Sequence, residues 1–184
     1  MVERAGSDRS RRADILAAAE REFAGAGYAG GRMERIAGEA RVNKQLLFHY
    51  FGSKDGLYAA AVQSLLARLE PAAPSTATPG EELRSIIAAL HAAVRAAPGV
   101  LSLLAEGQGE VPSAGADQLR TWRDRQLARL TASISEGQRR GFFRDDIEPS
   151  AVAESALAFA VGAGALGLPA APAAALLAEH CAWR

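Results

Sequence analysis

Residues 32–51 read RMERIAGEARVNKQLLFHYF. Met33, Ile36, Ala37 and Ala40 recur at helical spacing, which predicts a short helix over about 32–40 with these side chains turned inward. Asn43 has the short side-chain oxygen that caps a helix start, so another helix is expected from Asn43 to about Tyr50. Ala40, Val42 and Leu47 are expected to pack the crossing between the two. Two short helices around a tight turn make a helix-turn-helix. Its second helix offers N-terminal residues to a DNA major groove while the first crosses the backbone. The residue types suit that task. Asn43 donates to phosphate as well as capping, Lys44 brings a point charge, and Gln45 carries the paired donor and acceptor that reads adenine. His49, one turn on, reaches backbone phosphate. Lys54 adds a second cation at the start of the next helix, where unpaired N–H groups favour an anion. Arg9, Arg11 and Arg12 near the N-terminus supply charge for phosphates or a minor groove.

Working outward, Asp8–Ala26 places Ile15, Leu16, Ala19 and Phe23 on one face, and Gly25 and Gly27 are expected to end that helix. Ser53 caps a helix running to about Glu70 that includes Lys54, Leu57, Tyr58 and Val62. Pro71, Pro74 and Pro79 make a stiff linker. Further helices are expected at about 80–96, 99–106, 116–140, 150–167 and 172–182, giving about nine in all. Convincing strand alternation is missing, so the fold class is all-α.

The same residues resemble the TetR-type bacterial transcriptional regulators. That pattern has a glycine-aromatic pair ending the first helix, an isoleucine-alanine core pair and an alanine-glycine-valine-serine turn. A leucine-tyrosine-x-tyrosine-phenylalanine run and a serine-lysine-acid helix start follow. Here those places read Gly27-Tyr28, Ile36-Ala37, Ala40-Arg41-Val42-Asn43, Leu47-Phe48-His49-Tyr50-Phe51 and Ser53-Lys54-Asp55. The likeness covers roughly residues 10–58, with a weaker echo in Gly141–Pro149 resembling the loop before the family's penultimate helix. Three departures stand out. Gly30-Gly31 replaces a threonine, Arg41 takes the place of a glycine in a left-handed turn, and Phe48 replaces a tyrosine. With Leu46 also apolar, readout is expected to lean on apolar contact, as with thymine methyls.

The resemblance implies a helix-turn-helix DNA-binding domain at 1–52 and a ligand-binding and dimerisation domain at 53–184. The expected DNA-contacting residues are Arg11, Arg41, Asn43, Lys44, Gln45, Leu46, Phe48, His49, Tyr50 and Lys54. The partners it implies are a palindromic double-stranded DNA operator, a small apolar or amphipathic effector and a second copy of the chain. Effector contacts are expected at His91, Leu103, Trp122 and Phe159. Small residues let helices approach closely, which points to a twofold interface through Ala156, Ala160, Gly164, Leu168 and Leu177.

Composition narrows the alternatives. The 184 residues carry 21 basic and 21 acidic side chains, so any surface for nucleic acid is local. Residues 1–58 hold ten basic and eight acidic side chains, and the rest eleven and thirteen. The single cysteine, Cys181, excludes an intrachain disulfide and a thiolate cluster. His49, His91 and His180 lie at no ligand spacing, so neither metal nor cofactor is expected. A nucleophile–base pair and a phosphate loop are both missing, which argues against an enzyme. The charged start and the weakly apolar 151–168 stretch fit neither a signal peptide nor a membrane span, and a cytoplasmic protein is expected. The rival reading is a helical module of the same fold that binds small molecules or proteins and has lost DNA.

Overall fold

A computed structural model of the chain describes residues 2–68, 78–96 and 113–169. Every regular element among these residues is helical: α1 Val2–Gly30, α2 Met33–Glu39, α3 Lys44–Phe51, α4 Lys54–Arg68, α5 Pro79–Ala96, α6 Ser113–Arg139 and α7 Pro149–Ala165. These are seven of the roughly nine expected. The helices expected at 99–106 and 172–182, and the linker prolines Pro71 and Pro74, lie outside the described residues. Within the described residues no helix is long and apolar enough to cross a membrane.

The chain divides into two compact units, Met1–Ala67 with Pro98–Arg120, and Arg68–Ala97 with Thr121–Arg184. Helix α4 stays with the N-terminal helices. Its Leu57, Tyr58, Ala61 and Val62 are fully buried, and the Tyr58 ring meets Phe23 edge-on at 5.1 Å and Tyr28 at 5.2 Å. Ile15, Ala18, Ala19 and Phe23 of α1, Met33, Ile36 and Ala37 of α2, and Leu47 of α3 complete that core. Leu16, Ala40 and Val42 are only half-buried, so Leu47 alone of the three expected crossing residues is fully enclosed. The helical run of α1 passes Gly25 and is interrupted at Gly27, as expected of that glycine. It kinks at Gly27 (φ 68°, ψ 179°), a conformation open to a residue without Cβ, and runs on to Gly30.

The turn between α2 and α3 is a Schellman motif. The Val42 N–H donates to the Ala37 carbonyl at 3.0 Å and the Arg41 N–H to that of Gly38 at 3.2 Å. The same pair of bonds closes α6 and α7, with glycine in the left-handed place: Gly141 at φ 72° and Gly167 at φ 67°. In the first turn that place falls to Arg41 at φ 55°, and among the described residues it is the non-glycine residue at positive φ. Arg41→Gly is therefore expected to stabilise the N-terminal unit by up to about 1 kcal/mol, the ordinary cost of a Cβ in that region. Thermal denaturation checks this; a lower melting temperature would mean that the arginine side chain stabilises more than its backbone costs.

In the second unit α5 begins with a capping box. The Thr78 N–H and hydroxyl both donate to Glu81 Oε2 at 2.9 Å, and Pro79 occupies the first helical position. Leu83, Ile86, Ile87, Leu90 and Val94 of α5 are buried, as are Trp122, Leu130 and Ile134 of α6 and Ala153, Ala156, Leu157, Ala160 and Ala163 of α7. Gln138 Nε2 donates to the carbonyls of Arg144 (2.8 Å) and Ile147 (2.9 Å), holding the 140–148 loop in place ahead of α7.

Candidate nucleic-acid interface

Helix α3 has eight residues, too few to persist alone in water, so its place is set by its ends and one buried side chain. Asn43 is extended (φ −78°, ψ 153°) and its Oδ1 accepts from the Leu46 N–H at 2.8 Å, as a capping asparagine does. Leu47 points into the core with no exposed surface. At 100° per residue its burial turns Gln45 and His49 to the opposite side and Phe48 to the flank, while Lys44 is exposed as the first residue of the helix. Arg41 and Asn43 are exposed on the preceding turn, and Leu46 is half-buried. One surface of the N-terminal unit therefore gathers a cap, a cation, an amide, an imidazole and an apolar ring. Phe48 is 42% exposed, ready for apolar contact.

The flanking cations lie against aromatic faces. Arg12 stands 5.2 Å above the Phe51 ring, and Lys54 lies 4.6 Å above Tyr28 while donating to the Ala29 carbonyl at 3.5 Å. Arg11 is exposed on α1. His49 meets the half-buried Tyr50 edge-on at 5.4 Å.

Carboxylates occupy several of these donors. Lys44 Nζ pairs with Glu34 on α2 while standing 5.9 Å from the Phe48 ring centre. The Lys44 hydrogen bond, with a backbone N–H, holds the Glu34 carboxyl below the ordinary glutamate value. Tyr50 Oη donates to Asp8 and Tyr28 Oη to Asp55, and each bond favours the protonated phenol and raises its pKa.

One side chain that positions α2 had no sequence signal beyond its place on an amphipathic helix. Glu22 of α1 is buried, accepts the Arg32 N–H at 3.1 Å and pairs with Arg35 Nε at 3.2 Å. It stands at the N-terminus of α2, where Arg32 itself makes no side-chain cap. A carboxylate there satisfies an orphan N–H and opposes the positive helix end. An acceptor from α1 thus serves where the resembled pattern has a threonine.

Of the residues expected to meet an effector or a second chain, the described ones lie in the other unit. His91 is buried and its Nε2–H donates to the Leu168 carbonyl at 2.7 Å. Trp122 is 3% exposed, and its indole N–H has no partner among the described residues. Phe159 is 37% exposed and faces outward, and Leu103 lies outside the described residues. Ala156 and Ala160 have no exposed surface within the single chain, so they have none to bury against another. Gly164 is buried too; a Cβ on it would lie 3.0 Å from the His91 carbonyl and from Val94, which places this small residue against α5. Ala156, Ala160 and Gly164 are thus enclosed within the single chain. Leu168 is 49% exposed, and Leu177 lies outside the described residues.

Comparison with known proteins agrees with this geometry. The profile of the family described as bacterial regulatory proteins, tetR family, matches residues 15–61, the span from the middle of α1 into α4. An HTH-type transcriptional repressor of Streptomyces coelicolor is 35% identical over 141 residues, covering 74% of this chain and 69% of the relative. The HTH-type transcriptional repressor NicS of Pseudomonas putida is 31% identical over 148 residues, 77% of this chain and 69% of the relative. The crystal structure of a TetR-like transcriptional regulator from Rhodococcus superposes with a TM-score of 0.72 at 25% identity, covering 92% of both chains. A helix-turn-helix with its polar edge outward, a profile centred on it and relatives alike over most of their length place this chain in the tetR family of bacterial regulatory proteins.

Proposed function

We propose that the chain is a ligand-responsive transcriptional repressor that binds a palindromic operator as a homodimer. The observation that carries this reading is α3 itself: capped by Asn43, anchored by Leu47, and exposing Lys44, Gln45, Phe48 and His49 together. In this reading residues 1–52 carry the DNA-contacting surface, and 53–184 serve effector binding and pairing. Two copies would set their recognition helices about 34–36 Å apart, one turn of duplex. Pairing would use the outward side of α7, where Ala158, Phe159, Ala165, Leu166 and Leu168 are exposed. The effector would be apolar or amphipathic, since the buried described residues of the second unit include no Asp, Glu, Lys or Arg. Its differential affinity for two arrangements of the dimer need supply only about 1–3 kcal/mol of coupling.

A mobility-shift titration with duplex from upstream of its own coding sequence tests the reading. Lys44→Ala with Gln45→Ala is expected to weaken binding about a hundredfold, at about 1–3 kcal/mol for each base or phosphate contact, with unchanged melting temperature. Wild-type affinity should fall steeply with salt. Full affinity in the double variant would refute the role given to α3.

A further inference from the structure

The surface assigned to DNA is internally neutralised at its leading cation. Lys44 is the first residue of α3, and its ammonium is engaged by Glu34 from the first turn of α2 while resting near Phe48. Both partners of the pair are exposed, at 47% and 67% of their side-chain surface, so an incoming anion reaches them without any rearrangement of the core. A phosphate that takes Lys44 must displace this carboxylate or accept it as a close neighbour of like charge.

We propose that Glu34 is an affinity-setting residue: it occupies Lys44 in the free protein as a stand-in for phosphate and must yield it when DNA binds. The inference rests on the DNA-binding reading above. It differs from a scaffolding role in sign. A carboxylate that merely aims Lys44 at DNA would help binding, whereas one that competes with phosphate opposes it. Removing the charge while keeping the shape, as in Glu34→Gln, leaves Lys44 free to pair with DNA and removes a repulsion in the interface. The effect also depends on salt. Attraction and repulsion between exposed charges are screened within about 8–10 Å at ordinary ionic strength, so the gain is largest when salt is low.

The experiment has two arms. Without DNA, NMR titration of the Glu34 carboxyl is expected to give a pKa below the ordinary glutamate value, because the ammonium favours the ionised form. Lys44→Met should raise it toward that value. An ordinary value unchanged by Lys44→Met would mean that the pair does not form in solution and would overturn the proposal whatever the protein binds. With DNA, Glu34→Gln is expected to tighten binding to the upstream duplex about three- to tenfold at 50 mM salt, with the gain shrinking at 300 mM. In a Lys44→Met background the same change should gain less than twofold, because the lysine it frees is gone. Weaker binding by Glu34→Gln, or an equal gain without Lys44, overturns competition for Lys44. Absence of binding by the wild-type protein would instead strike the DNA-binding reading, leaving the free-protein arm to decide whether the pair exists.

Discussion

Gly56→Ala is expected to cost the N-terminal unit about 3 kcal/mol or more and to abolish DNA binding with it. A Cβ on Gly56 would sit 2.1 Å from the Phe51 carbonyl oxygen, a distance at which two atoms cannot coexist. The obstacle is backbone and cannot rotate away. Either α3 must lift its last turn or α4 must tilt its first. The first choice moves the recognition helix, and the second withdraws Leu57 and Tyr58, both fully buried, from the core. Gly52→Ala is the matched control. Gly52 takes φ 75° and ψ −49°, yet an added Cβ there meets nothing within 4 Å, so only backbone strain of about 1–3 kcal/mol is expected. Urea denaturation of the two variants, with amide exchange to assign the loss to α3 and α4, makes the comparison. Equal costs would mean that the close approach of α4 to Phe51 does not hold in solution.

That pair also shows what a sequence discloses. Gly52 stands in a Gly-Ser break between helical patterns, and that break is legible because turn chemistry is local. Gly56 lies inside a helical pattern, and the need for it comes from the end of another helix. The same division runs through the candidate site. Asn43 as a cap and Leu47 as the inward residue follow from short-range rules, the left-handed place of Arg41 comes from the resemblance, and all three are found in the structure. Glu22 was not legible, because a buried carboxylate looks like any acid on an amphipathic helix until the N-terminus of α2 is placed beside it. Helix α7 is hard to read for another reason. From Ala151 to Ala165 it is alanine, glycine and other apolar residues on nearly every side, so the 3.6-residue period that assigns a helix face is weak. Ala156, Ala160 and Gly164 are expected as an interface between chains; in the single chain all three are buried, Gly164 against α5. The side of α7 left exposed carries Phe159 and Leu166.

Leu47→Ala is expected to remove DNA binding without touching a DNA-contacting group. Leu47 is the buried side chain of α3, fully enclosed, and truncating such a leucine costs about 2–5 kcal/mol, the spread reflecting how far the cavity collapses. Small units are marginally stable, so a loss of that size is a large share of what holds the fold. The consequence is local before it is global. An eight-residue helix has no independent stability, and without Leu47 it is held by the Asn43 cap, the Schellman turn before it and the Tyr50–Asp8 bond, all near solvent. Amides of residues 48–51 should therefore exchange faster by an order of magnitude or more, before the α1 core around Ile15 and Phe23 is released. Leu47→Met, which nearly conserves volume, should cost less than about 1.5 kcal/mol and leave affinity within a few-fold of wild type. The contrast with Lys44→Ala and Gln45→Ala is the decisive feature. Those changes are expected to lower affinity at constant stability, whereas Leu47→Ala should lower both. Wild-type affinity in Leu47→Ala would show that α3 is positioned by contacts other than its one buried leucine, and the link from core packing to recognition drawn here would fail.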